Sequence, residues 1–482
     1  MTWLRAWLER LSINDAGGGF WTARRASAFN ALQLAIWTCL ALWRLPLGGH
    51  FLTDEARFYD AAFGVAQSRL PAPFGPPISQ TLPVAYTPGG GLFDLYAPPF
   101  LFARDPLWGS VWVVVLTAVG LWLFDRTLQR LGASGRMRVI ACALATWSIW
   151  HARFADRMWN AHAFLFAAPL LWWLSVRLRG AKRGAEAWAL AWGAAAALLM
   201  QVHASGVLAV VVGIVWAFPA LRRARLFGLA AAGVALAYAP WLIFETRHGF
   251  AEAALLTSAR PRGALLGVGA GRGLAVFLKF ASQSGRVAER AAPDGVLGAA
   301  GLVTFWLAGV GLLFGLRVRG AWRRAWALTF VTVPLFLAVT GREYFDHYVI
   351  APYPLYAVPS AAALSALAGR IRGFAWAALG YVSLFAALGV ALLWREYVPG
   401  SSWSTLPVQE EITRTLVAQR SRISGVQGAE PKVYEVLARD LLGVSLEVAP
   451  DGMPCRLSSA QRGRMDEVAW PVGGEWWLSC AH

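Results

Sequence analysis

The segment His50-Phe-Leu-Thr-Asp54-Glu55-Ala-Arg57-Phe-Tyr59-Asp60 sets two adjacent carboxylates and a guanidinium within about one helical turn. Residues three apart share a helix face, so Asp54 and Arg57 can act together. A carboxylate there can take a proton, and an Arg beside it can hold an anionic group through paired donors. The bland alternative is a helix start: Thr53 caps it and the two acids meet its positive dipole end. Phe58, Ala62 and Val65 follow as an apolar stripe suited to lying on a membrane surface.

Three further segments carry the same residue types. They read His151-Ala-Arg153-Phe-Ala-Asp156-Arg157-Met-Trp-Asn160-Ala-His162, Glu245-Thr-Arg247-His248-Gly-Phe250 and Arg342-Glu343-Tyr344-Phe-Asp346-His347-Tyr348. Each alone reads equally as an interfacial anchor or a local ion pair, and surface pairs count for little. His203, in Gln201-Val-His203-Ala-Ser205, is expected to be a buried, hydrogen-bonded histidine rather than a metal ligand. The glycines of 267–273 break the dinucleotide spacing at Arg272 and lack a strand–turn–helix unit. No HExxH, paired CxxC or GxSxG occurs, which removes the zinc-protease and serine-hydrolase readings.

The elements that must hold these groups are membrane spans. Only 15% of the 482 residues are charged and 57% are hydrophobic, against about 25% charged in a soluble domain. Apolar runs recur at 28–47, 107–124, 138–151, 161–176, 185–204, 205–221, 226–244, 296–316, 325–340, 348–368 and 373–394. Most approach the ~20 residues that cross a bilayer as helix, and the 138–151 run is the weakest of them. The expected fold is therefore an all-α polytopic membrane protein of about eleven spans.

Charge orients it. Arg24 and Arg25, Arg126, Arg130, Arg136 and Arg138, Arg177, Arg179, Lys182 and Arg183, and Arg222, Arg223 and Arg225 fall in short alternate loops. Arg317, Arg319, Arg323 and Arg324, then Arg370 and Arg372, continue the set. Short basic loops are cytoplasmic, so residues 1–27 are expected inside and the tail from 395 to 482 outside. The acid-bearing loops 48–106 and 245–295 then share the outer face with that tail, although the second loop is itself rich in Arg. The net charge of +17 thus reflects topology, and nucleic acid is excluded for want of a basic face interleaved with aromatics. Trp3, Leu4, Trp7, Leu8 and Leu11 predict a short surface helix at the N-terminus rather than a cleavable signal. The tail is long enough for a small mixed α/β domain. Its Cys455 and Cys480 either pair outside the cell or stay free, whereas Cys39 and Cys142 lie in apolar runs.

Read in order, these motifs resemble the bacterial branch of the membrane-embedded GT-C glycosyltransferases. That group, family 39-like, includes protein O-mannosyltransferases and the aminoarabinose transferase of lipid A. The resemblance rests on Thr-Asp54-Glu55-Ala-Arg57, Ala-Arg153-Phe-Ala-Asp156-Arg-Met-Trp-Asn160 and Gln201-Val-His203-Ala-Ser205. Pro240-Trp-Leu-Ile-Phe-Glu245-Thr-Arg-His248-Gly-Phe250 and His347-Tyr348-Val-Ile-Ala-Pro352 complete it over most of 28–370. It implies a polyprenyl-phosphate sugar as donor and a single inverting displacement onto a protein, lipid or glycan acceptor at the outer face of the bacterial inner membrane. Asp54 is then the general base, and Glu55 a second acid that orients the acceptor or binds a cation. Asp156 shares the base role or holds the acceptor, and Arg57 contacts the donor phosphate. Arg153, Arg157, Arg247, Arg342, His347 and Tyr348 are further phosphate candidates.

No cofactor is required in this reading, and a divalent cation between Glu55 and His248 is the alternative. Two ligands from distant loops are a thin set for a metal. Other readings of the same residues are a ligase of lipid-linked glycans, or a transporter or flippase of a lipid-linked sugar. Transport calls for acids deep within several spans and for related halves, and neither shows in the sequence.

Overall fold

A computed structural model describes residues 21–48, 51, 53–78, 81–82, 84–148, 151, 157–258, 260–261, 304, 306–310, 350–371, 374–395, 406–419, 423–427, 433, 437–438, 453–458, 467–471 and 477–481. The expected N-terminal surface helix, the 267–273 glycines and the 325–340 span lie outside them.

Among the described residues six helices are long and apolar enough to cross a membrane. Five of them are α1 (Ala23–Gly48), α4 (Pro106–Arg130), α6 (Asn160–Gly180), α7 (Ala185–Val202) and α9 (Ala224–Arg247), and the sixth contains α8 (Val207–Leu221). Between α1 and α4 lie α2 (Thr53–Ser68) and α3 (Gly91–Tyr96). Later come α10 (Ala251–Ser258), α11 (Ala357–Ala368), the apolar α12 (Phe374–Arg395) and α13 (Leu406–Gln419). At 25 residues α4 is roughly 37 Å long, enough for a ~30 Å hydrocarbon core. Its start is fixed by Asp105, whose carboxylate accepts from Leu107 N at 2.7 Å, and by Pro106 at the first helical position.

The predicted 138–151 span is shorter than expected. It is α5 (Gly135–Thr146), a 12-residue helix capped by Ser134 and almost wholly enclosed by its neighbours. Arg138, expected in a basic loop, is inside this helix and 1% exposed. It donates to Asp125 from Nε at 3.0 Å and Nη2 at 2.7 Å, and Asn30 donates to the same carboxylate at 2.8 Å. α1, α4 and α5 are thus tied by one buried network.

Small residues set the spacing elsewhere. A Cβ at Gly193 would sit 1.9 Å from Ala230 O, and one at Gly233 would sit 2.1 Å from Leu190 O. α7 and α9 therefore meet backbone to backbone, the close approach that small residues give helices in lipid.

The loop between α1 and α4 carries β1 (Phe74–Ile78), β2 (Thr81–Leu82) and β3 (Ala85–Pro88), with β1 and β3 antiparallel. β2 pairs with β4 (Arg260–Pro261), so the two long loops share a ladder. In the tail, β5 (Ile423–Gln427), β6 (Met453–Ser458), β7 (Glu467–Pro471) and β8 (Trp477–Ala481) form a sheet in the order β5-β6-β8-β7. Its register sets Cys455 opposite Cys480 across antiparallel strands, while Cys39 and Cys142 are free thiols.

α13 packs against α1, with Ile412 and Leu416 buried in the same core as the spans. Glu410, on this helix, faces Asp105 and Arg414. Burial and the Asp105 charge push its pKa from the ordinary 4.5 up to about 7, with Arg414 opposing. Because the folded value is the higher one, Glu410 favours docking most at low pH. That contribution falls away as pH rises from about 4.5 through about 7. Tail docking, followed by limited proteolysis between pH 4 and 8, should therefore weaken with rising pH in the native chain. It should be flat in Glu410→Gln, and an equal slope in both would remove Glu410 as the cause.

Candidate active site at the acid-bearing end

α2 decides which acid does what. Successive residues on a helix point about 100° apart, so Asp54 and Glu55 cannot face the same way. Glu55, Tyr59, Ala62 and Ala66 form the inward stripe, each buried, while Asp54 and Arg57 are exposed. Phe58 is also buried, against Phe93 with ring centroids 6.0 Å apart. The stripe expected to lie on lipid thus packs into protein, because the loop after α2 folds back beneath it.

Three contacts lock that loop. Tyr59 donates its hydroxyl to Arg104 O, Tyr96 donates to Trp159 O at 2.9 Å, and Trp112 donates to Leu95 O at 2.8 Å. The Tyr96 contact carries the start of α6 toward α2. Arg157, two residues before Trp159, reaches Glu55 with Nη1 to Oε1 at 3.6 Å. Both side chains are mostly buried, at 14% and 5% exposure. Asp54 instead meets Arg57 at 4.0 Å with both side chains more than half exposed.

Gln201 ties the glycine run to the spans. Its Oε1 accepts from Gly91 N at 2.9 Å and its Nε2 donates to Ala237 O at 2.9 Å. Gly89 has φ +82°, and a Cβ there would lie 2.5 Å from Gln201 Nε2, so only glycine fits. Gln201→Leu would leave the half-buried Gly91 N without its acceptor. The expected loss is about 1–3 kcal/mol, with faster hydrogen exchange across 85–97. Unchanged exchange there would show that the loop is held by other contacts.

His203 is hydrogen-bonded as expected, its Nδ1 accepting from Ser205 N at 3.2 Å, but it is half-buried rather than buried. Glu245, read from sequence only as part of an interfacial turn, is fully buried and accepts from Ala253 N at 3.0 Å through Oε2. A distinguishing signal was present in its place at the end of an apolar run, but turn charges there are usually exposed. Arg247 and His248 are exposed, and the His248 ring stacks on Phe244 at 3.9 Å with Nδ1 donating to Phe244 O at 2.8 Å. Among the described residues no three His, Cys, Asp or Glu side chains gather as a metal site. Arg153, Asp156, Arg342, His347 and Tyr348 lie outside the described residues.

One end of the bundle thus gathers Asp54, Glu55, Arg57 and Arg157 with Gln201, His203 and Glu245. The same helical frame occurs in solved structures. ArnT from Cupriavidus metallidurans in the apo state matches with a TM-score of 0.57 at 14% identity, covering 95% of this chain and 98% of that one. The chain has the fold of ArnT. ArnT from the same organism bound to undecaprenyl phosphate matches with a TM-score of 0.56 at 14% identity, covering 94% and 97%. No family model matches the sequence, and no curated protein does. At such low identity the likeness speaks for the fold, and it agrees with the multi-pass architecture read from the apolar runs. It also agrees with the GT-C resemblance carried by the motif order.

Proposed function

We propose that this chain is a glycosyltransferase that moves a sugar from a polyprenyl-phosphate carrier to an acceptor at the outer face of the inner membrane. The observation that carries the proposal is the division of labour between adjacent acids. Glu55 is buried against Arg157, while Asp54 is exposed beside Arg57 at the same end of the bundle. The shared fold with a protein that binds undecaprenyl phosphate supports the donor class.

Asp54 accepts the proton of the acceptor hydroxyl as its oxygen attacks the anomeric carbon. The carbon–oxygen bond to phosphate breaks, its electrons leave with the phosphate, and the configuration inverts. Carboxylates stabilise the oxocarbenium-like state between. Arg57 and Arg157, with Arg153, Arg247, Arg342, His347 and Tyr348, are assigned to the charge developing on the phosphate, where positioned donors act most strongly. Asp156 holds the acceptor or shares the base role. In this reading 28–394 form the catalytic domain, the N-terminus is cytoplasmic and the 395–482 tail is outside.

Reconstitution with a radiolabelled polyprenyl-phosphate sugar tests it. Label on a separate acceptor, with the sugar–phosphate bond cleaved, is the expected result. Label that crosses the bilayer with that bond intact would make the chain a transporter instead.

A further inference from the structure

At the end of the bundle away from Glu55, α4 and α6 finish side by side around an open pocket of about 460 Å³. It is lined by Trp122, Arg126, Gln129, Arg130, Trp173 and Arg177, and no carboxylate is among them. Arg177 lies between two indoles, 5.3 Å from the Trp173 ring centre and 4.8 Å from that of Trp188. These two rings meet edge-on at 5.5 Å and 87°. Arg126 lies over Trp122 at 5.5 Å and donates to Gln129 Oε1 at 3.0 Å. The Nε atoms of Arg126 and Arg177 are buried with no hydrogen-bond partner among the described residues.

The nearby acids are already engaged. Asp125 is held by Arg138 at 2.7 Å, and Glu186 meets Arg225 at 3.5 Å. Among the described residues, three guanidinium groups therefore converge without a counter-charge, although like charges at such range repel. Indole faces offset part of that repulsion through cation–π contact, but they do not satisfy the N–H donors. A positive-inside loop needs only solvated arginines and does not call for their stacking around a cavity.

The approach to the pocket identifies what fills it. Trp108, Val115, Val119 and Trp122 are exposed along one face of α4, at 51%, 36%, 38% and 44%. Their spacing of seven, four and three residues makes one apolar strip that ends at the arginines. A hydrocarbon chain can lie along such a strip while its phosphate reaches the guanidinium groups in bidentate contact. Basic pockets between spans on the cytoplasmic side bind anionic headgroups in this way.

We propose that this pocket is a binding site for an anionic phospholipid, with Arg126, Arg130 and Arg177 holding the headgroup phosphate and the α4 strip holding an acyl chain. The site lies at the far end of α4 from the acids and is separate from the transfer chemistry. It rests on the chain being membrane-embedded and not on which reaction it performs.

Titration of the purified full-length protein in detergent with phosphatidylglycerol, phosphatidylcholine or inorganic phosphate tests this, read by native mass spectrometry and thermal unfolding. Phosphatidylglycerol should bind at least about tenfold more tightly than phosphatidylcholine. Each arginine changed to Gln should weaken it about fivefold, and all three together roughly a hundredfold. Arg130 is exposed, so Arg130→Gln keeps the test decisive if the triple variant does not fold. Equal binding of the two lipids, or undiminished phosphatidylglycerol binding in the variants, would overturn the site. A thermal shift by inorganic phosphate equal to that by phosphatidylglycerol would reassign it to a free anion and overturn the lipid.

Discussion

Asp54→Asn should lower the rate of sugar transfer by roughly 10²–10⁴, the usual cost of losing a general base. Binding of the donor and the melting temperature should stay close to those of the native chain. Asp54 is exposed and meets the exposed Arg57 in a loose 4.0 Å contact, so its charge can be removed at little cost to packing. Glu55→Gln should behave differently. That change leaves the mostly buried Arg157 facing a neutral amide at 3.6 Å, so it should lower stability along with rate. Measuring transfer and thermal unfolding side by side in both variants separates the two roles. Should Asp54→Asn keep most of its activity, Asp54 is only a favourable helix start. An acid there contributes about 0.3–1 kcal/mol to the helix and nothing to the chemistry.

The contrast between these neighbours also marks where sequence reading ends. Apolar runs and basic loops located α1, α4, α6, α7, α8 and α9 within a few residues, because a bilayer fixes both helix length and charge placement. The paired acids after α1 were equally plain. Which of them turns inward depends on the phase of α2 against the rest of the bundle. That phase is set by Tyr59 reaching Arg104 and by Phe58 packing on Phe93, contacts between segments far apart in the chain. Arg138 was misplaced for the same reason. A basic residue at the edge of an apolar run looks like a loop charge until its partner, Asp125, is found on another helix. Glu410 lay in a tail without a recognisable motif, and only the docking of α13 on α1 brings it to Asp105.

Asp125→Ala should be among the most damaging changes in the chain, costing about 3–5 kcal/mol of stability while leaving the proposed site untouched. The carboxylate is the hub of a dry cluster. Arg138 grips both of its oxygens and also donates to Ser27 Oγ at 2.9 Å, and Asn30 adds a third donor from α1. Removing the acid strands a guanidinium that is 1% exposed and has nowhere to reach water. The cost lies in that stranded charge more than in the lost attraction, since bringing both ions out of water already offsets much of the pairing energy. It follows that Asp125→Leu combined with Arg138→Met should recover most of the loss, because no charge then needs a partner. Thermal unfolding of the single and double variants in one detergent checks both parts. A single variant as stable as the native chain would mean that water reaches Arg138 and that the cluster does not clamp α1, α4 and α5. A double variant no better than the single would mean that the polar network itself, rather than charge balance, sets the packing of these three helices.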